Sequence, residues 1–260
     1  MLLENKVVMI QGVGPGLGQQ LALAAAREGA DVALAARTAS TLDDVAAKVR
    51  RSGRRAIAVP TDIANRSQCD RFVSRTLEEF GRVDALINSA MIHYTHPFDS
   101  ADLDEWRRVM DVNFYGYLNM TQAVIPAMKA GGGGAVVMVN TKEVRQPDFP
   151  GIGAYASSKG ALAAATRCLA QELAPHNIRV NTAYLGIMWG PPVQGLVSDL
   201  AKERGVSPHE VKAELETKIP LGRMPEDHEC AHTVLFLASD YARVVIGASF
   251  DVNGGQVLGV

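Results

Sequence analysis

Two periodicities trade places along this chain. Short apolar runs rich in Val, Ile, Leu and Ala occupy residues 6–11, 31–36, 55–59, 83–87, 135–140, 178–184 and 249–252. Most are bounded by Gly, Pro, Asn or Asp and are too short for a buried helix, which marks them as strands covered on both faces of a sheet. Between them lie longer segments whose apolar positions recur every three or four residues. The segment following Gly16 puts Leu17, Leu21, Ala24 and Ala25 on one stripe, with Gly29 just past its end. Helices are expected likewise over 41–51, 67–80, 153–174 and 226–238, and over 103–129 as one long helix, with residues 131–134 a flexible glycine turn. Strand alternating with helix implies an α/β protein: a doubly wound, Rossmann-like parallel sheet with helices on both faces. No repeat, low-complexity tract or linker divides the chain, so a single domain over 1–260 is expected.

Composition narrows the function classes. Of the 260 residues 47% are hydrophobic and 21% charged, with a formal net charge of −2. That balance gives no electrostatic case for nucleic acid or for an anionic membrane surface. No apolar run approaches the ~20 residues that span a bilayer. Leu2 and Leu3 run directly into Glu4-Asn5-Lys6, so no signal peptide is read. The three cysteines, Cys69, Cys168 and Cys230, are odd in number and far apart, which fits a reducing compartment and a cytoplasmic location.

The first strand runs into Gly12-Val13-Gly14-Pro15-Gly16-Leu17-Gly18. Strand, glycine turn, helix, strand is a dinucleotide-binding βαβ unit, in which glycines let the backbone approach a pyrophosphate and the helix offers it free N–H groups. The spacing Gly12, Gly16, Gly18 differs from G-x-G-x-x-G. After the second strand comes Ala36-Arg37-Thr38, with an Arg and no carboxylate. A carboxylate there would bond the 2′-hydroxyl of NAD, whereas an Arg accommodates the 2′-phosphate of NADP. NADP(H) is therefore favoured, with NAD(H) the alternative.

Tyr155 and Lys159 lie four residues apart, one turn above the other on the helix over 153–174. A free phenol has a pKa of about 10, and a neighbouring ammonium lowers it, making a general acid/base. Ligands of such sheets collect at the carboxyl ends of the strands, where Gly12–Gly18, Asp62, Asn88, Thr141 and Gly186 all fall.

Together these residues resemble the short-chain dehydrogenase/reductase family over essentially the whole chain. The resemblance rests on Gly12/Gly16/Gly18, Asp62, Asn88-Ser89-Ala90, Asp111-Val112-Asn113, Tyr155/Lys159, Ile178-Arg179-Val180-Asn181 and Phe250-Asp251-Val252-Asn253-Gly254-Gly255. It implies hydride transfer between a nicotinamide and a carbonyl or secondary alcohol, with Tyr155 exchanging a proton with the substrate oxygen. Lys159 would tune Tyr155 and hold the nicotinamide ribose, and Asn113 would anchor a water linking Lys159 to solvent. Gly12, Gly16, Leu17, Gly18 and Arg37 would hold the phosphates, Asp62 and Ile63 the adenine, Asn88 and Ala90 the adenosine ribose, and Gly186 and Ile187 the nicotinamide end. A homo-oligomer, tetramer or dimer, is also implied.

Three departures qualify the resemblance. The family's Ser stands thirteen residues before the Tyr, and position 142 is Lys (155 − 13 = 142). Counting from the strand puts Thr141 in that role, with one extra residue in the loop and Lys142 or Ser157 as alternatives. Met91 replaces a glycine and is expected to narrow the pocket. Leu185-Gly186 replaces Pro-Gly and leaves that turn less rigid. Residues 187–220 form a substrate lid with one helix near 208–218, and Met91, His93, Tyr94, Val144 and Trp189 suggest an apolar pocket edged by Lys142, Glu143 and Arg145. These departures leave room for a nucleotide-binding protein with little catalysis. Finally, His228-Glu229-Cys230-Ala231-His232 matches H-E-x-x-H, but a catalytic zinc needs a third protein ligand. No His or Glu follows His232, so no metal is expected.

Overall fold

A computed structural model describes residues 1–258. Seven parallel strands run in the order β3-β2-β1-β4-β5-β6-β7. They are β1 (Val7–Gln11), β2 (Asp31–Ala36), β3 (Ala56–Pro60), β4 (Ala85–Asn88), β5 (Gly134–Thr141), β6 (Ile178–Leu185) and β7 (Ser249–Val252). Successive side chains on a strand point to opposite faces. In β1, Val8 and Ile10 therefore join one buried cluster and Met9 the other.

Helices α1 (Leu17–Arg27), α2 (Ala39–Arg51) and α9 (Asp227–Ala238) cover the first face, with Leu21, Leu42 and Val234 in its core. Helices α3 (Arg66–Phe80), α5 (Gly116–Ala130) and α6 (Gly153–Leu173) cover the second with Phe72, Tyr117 and Leu162. The chain winds outward from β1 to β3, then returns to lay β4 beside β1. Strand order reverses there, opening a crevice at the carboxyl ends of β1 and β4.

Two expected elements differ. The long helix over 103–129 is α4 (Leu103–Met110) joined to α5 through a π-helical turn, Asp111–Tyr115. Across it the Gly116 N–H reaches back five residues to the Asp111 carbonyl. Such a wide turn is frequent at functional sites, and Asn113 lies inside it. The segment 187–220 holds two helices, not one: α7 (Pro191–Arg204) and α8 (Pro208–Glu216). Val197, Ala201, Val211 and Leu215 pack them together as a small core of their own. Consecutive prolines at 191 and 192 hid the start of α7, although Pro in a first turn is compatible with a helix.

Candidate active site

The glycine turn closes directly on the reversal crevice. Gly12 has φ of 88°, and a Cβ placed on it would lie 2.1 Å from the Ala90 nitrogen. Gly18 sits equally tight, since its Cβ would fall 2.2 Å from the Gly12 carbonyl oxygen. Side chains at either position would fill the cradle. Gly16 caps α1 without a side-chain partner; among the described residues the Leu17 and Gly18 N–H groups have no acceptor, while the Gln19 N–H is already bonded to the Gly14 and Gly16 carbonyls. That combination of close backbone approach and free N–H groups fits a dinucleotide pyrophosphate.

The flanking residues hold this shape. Buried Gln11 spans the crevice: its Nε2 donates to Asn88 Oδ1 (3.1 Å), and its Oε1 accepts from the Ala90 N–H (3.0 Å). Asn88 Nδ2 faces Thr121 Oγ1 at 3.3 Å. The Asn88 side chain is thus spent inside the fold, leaving backbone to meet a ligand. Gln11 was missed in the sequence because it reads as the polar end of an apolar strand. Asp62 accepts from the Ala64 N–H (3.0 Å), while Ile63 is buried. Arg37 stands exposed just past β2 and has no carboxylate partner among the described residues. At Gly186 the turn lacks the proline but is braced from the far end of the chain, where Gln256 Oε1 accepts from the Ile187 N–H (2.8 Å).

Thr141, Tyr155, Lys159 and Asn113 come together at the same sheet edge, all buried. Register pairs Thr141 with Leu185 at the last rung of β5 and β6. The Asn140 side chain ties that rung to α6 through the Lys159 carbonyl (3.1 Å). The Thr141 hydroxyl accepts from the Glu143 N–H (3.3 Å) and lies on the side of the Tyr155 phenol, where it favours the ionised form. Burial pushes that phenol up to about 12, against a lowering by Thr141 and with a further rise from the Glu143 charge. The lowering expected from Lys159 is not found, because the ammonium is directed elsewhere. Its Nζ donates to the Tyr117 hydroxyl and to the Val139 carbonyl, each at 2.9 Å. Burial brings the Lys159 amine down to about 7. Asn113 accepts from the Ile92 N–H and donates to the Ile92 carbonyl, both at 2.9 Å, which clamps the segment after β4.

A family model described as short chain dehydrogenase matches residues 6–200. The chain is 32% identical over 258 residues to the 3-oxoacyl-[acyl-carrier-protein] reductase FabG of Thermotoga maritima, covering 99% of this chain and 100% of that protein. It is 33% identical to a cyclopentanol dehydrogenase of Comamonas sp., covering 97% of each. Among solved structures, L-sorbose reductase from Gluconobacter frateurii, complexed with NADPH and L-sorbose, superposes with a TM-score of 0.95 at 26% identity over 100% of both chains. This chain belongs to the short-chain dehydrogenase family. It is accordingly an NAD(P)-dependent oxidoreductase acting on CH–OH or C=O groups.

Within that family framework the departures acquire physical form. Lys142 is not at a solvated edge. It is fully buried, pairing with Glu143 Oε1 (2.8 Å) and with Asp148. Glu143 Oε2 in turn accepts from the Asp148 N–H (2.8 Å). Lys142 is therefore occupied by the loop and Ser157 is exposed on α6, whereas Thr141 is buried and acts on the Tyr155 phenol. Arg145 clasps Asp251 and lies over the Tyr184 ring. Met91 is largely exposed, and Trp189 packs on the α7–α8 core with Lys212 over its ring. Of the expected pocket residues, His93 stacks on the Tyr155 ring, with centroids 4.0 Å apart. Of the H-E-x-x-H residues, Glu229 is bound at both oxygens by Arg223 and also accepts from the Glu226 N–H. Among the described residues no group of three or more metal-binding side chains occurs, and no helix is long and apolar enough to cross a membrane.

Proposed function

We propose that this chain interconverts a small carbonyl compound and its secondary alcohol using NADP(H), with Tyr155 as acid/base, and that residues 187–220 close over the substrate. The reading is carried by one observation: Thr141, Tyr155 and Lys159 all lie buried at the carboxyl edge of the sheet, the edge that also bears the glycine cradle. Gly12, Gly16, Leu17 and Gly18 would hold the pyrophosphate of the dinucleotide, Asp62 and Ile63 the adenine side, and Gly186 and Ile187 the nicotinamide side. The bound nicotinamide supplies or accepts the hydride.

In the reducing direction, Thr141 donates a hydrogen bond to the substrate oxygen and Tyr155 delivers its proton there. Burial favours this assignment, since a phenol at about 12 holds its proton until charge develops on the acceptor. Lys159 hydrogen-bonds the nicotinamide ribose and, once that ammonium is near, stabilises the phenolate left on Tyr155. The NADP preference rests on Arg37, exposed and unpaired by any carboxylate among the described residues at the end of β2. The NADPH in the L-sorbose reductase complex is consistent with it.

Fluorescence titration with NADPH and NADH at one salt concentration tests the reading. Tighter NADPH binding by tenfold or more, at least ~1.4 kcal/mol, is expected. Arg37→Ala should abolish that preference while sparing NADH. Equal affinities in the parent would remove Arg37 from the 2′-phosphate. Tyr155→Phe should keep cofactor affinity and lose turnover on a carbonyl panel by ~10²–10⁴.

A further inference from the structure

Tyr117 stands one helical turn beyond Asn113, at the first turn of α5, and is fully buried. An apolar position on a core helix gives no reason for a phenol. The hydroxyl nevertheless has two partners: it accepts from Lys159 Nζ at 2.9 Å and faces the Val139 carbonyl at 3.4 Å. Lys159 Nζ also lies 4.2 Å from the centroid of the Tyr117 ring and donates directly to Val139 at 2.9 Å. An ammonium has three protons, and two are committed to this pair of oxygens.

We infer that Tyr117 is a positioning residue for the reaction: its hydroxyl and ring hold the Lys159 ammonium in its charged form and orient the remaining proton for the nicotinamide ribose. The inference rests on the reading of Lys159 given above and extends it to a residue outside the family motifs.

The chemistry requires such a partner. Burial disfavours the charged amine and brings it to about 7. A phenol oxygen and a π-face, both oriented at the nitrogen, counter that tendency. Tyr117 cannot itself serve as the base, since burial, together with the Tyr155 charge, holds its own proton well above the ordinary phenol value. The other titratable groups around Lys159 are Tyr155 on α6, His93 on the segment after β4, and Glu143, whose charge acts on Tyr155. None of them accepts a hydrogen bond from Lys159 among the described residues.

The test is the pH dependence of NADPH affinity, followed by fluorescence, in the parent, Tyr117→Phe, Lys159→Met and the double variant. Titration of the cofactor itself cancels between proteins. In the parent, affinity should fall as pH rises through the Lys159 titration. In Tyr117→Phe that fall should begin roughly one pH unit lower, a tenfold change in the protonation equilibrium. Affinity at pH 6 should be little changed, and the Tm close to the parent's. On the Lys159→Met background the Tyr117 substitution should move nothing. A parent-like pH profile in a folded Tyr117→Phe overturns the inference, as does an equal loss of affinity at every pH or an equal effect on both backgrounds, since either marks a purely structural role. Failure of the parent to bind any nicotinamide dinucleotide would instead overturn the reading of the site beneath it.

Discussion

The imidazole of His93 lies on the ring of Tyr155, with centroids 4.0 Å apart and planes 28° from parallel. His93 is nevertheless exposed, while its ring stacks on the reacting phenol. Partial loss of water, and then the charge of Lys159, push His93 below its ordinary value. Below about 6.5 the unfolded chain takes up a proton that the folded chain resists, so this group withdraws stability as pH falls through that value. His93→Phe keeps an aromatic stack and removes the titration. Its Tm relative to the parent should therefore rise as pH is lowered from 7.5 to 5.5. A pH-independent difference would mean that the imidazole titrates as it does in water.

Thr141 carries the second prediction. Its hydroxyl favours the ionised form of Tyr155, and its oxygen accepts from the Glu143 N–H at 3.3 Å. Thr141→Ser retains both roles and should stay within a few fold in kcat. Thr141→Ala removes the donor meant for the developing oxyanion and should lose ~10²–10³ in kcat, with cofactor affinity preserved. Comparable activity in the two variants would transfer the role elsewhere.

Sheet and cradle were legible because each residue's local pattern and its tertiary environment agree. After Asp31 the strand at 31–36 is apolar because both its faces are covered, and Tyr155 and Lys159 share a helix face by spacing alone. What stayed hidden depends on contacts distant in sequence. Gln11 meets Asn88 across 77 positions, Lys159 meets Tyr117 across 42, and Ile187 meets Gln256 across 69. Periodicity carries no information about such pairs. The π-helical turn at Asn113 was invisible for a different reason. One extra residue in a turn barely disturbs an apolar stripe, so 103–129 reads as one uninterrupted helix.

The glycine motif can be tested by contrast. Gly12 combines positive φ with a Cβ position 2.1 Å from the Ala90 nitrogen, whereas nothing lies within 4 Å of a Cβ at Gly14. Gly12→Ala should both destabilise the fold, by more than the roughly 1 kcal/mol of an unfavourable φ, and abolish cofactor binding, since relief requires pulling β1 from β4. Gly14→Ala should leave stability within about 0.5 kcal/mol of the parent. Thermal melts with and without NADPH separate the two, and equal behaviour would show that the crevice is not where the dinucleotide lies.

The extra residue in the loop after Thr141 finds its physical reason in Lys142. The loop folds back so that Asp148, three residues beyond Arg145, reaches the buried ammonium beside Glu143, and its N–H binds the same Glu143 carboxylate. Cation and carboxylates thus define the wall next to Tyr155. Removing one member of a buried pair leaves a charge without its partner and costs ~3–5 kcal/mol. Asp148 is partly open, with 28% of its side chain accessible, so the lower end applies. Lys142→Met should lower stability by about 3 kcal/mol, roughly 6–12 °C in Tm. It should also depress kcat, because the strand end bearing Thr141 is no longer held. Adding Glu143→Gln removes the more deeply buried of the two stranded carboxylates and should recover much of the stability, though not the loop's geometry or the full kcat. If the single variant were as stable as the parent, the triad would be a solvated cluster, and the wall beside Tyr155 would owe its shape to backbone packing alone.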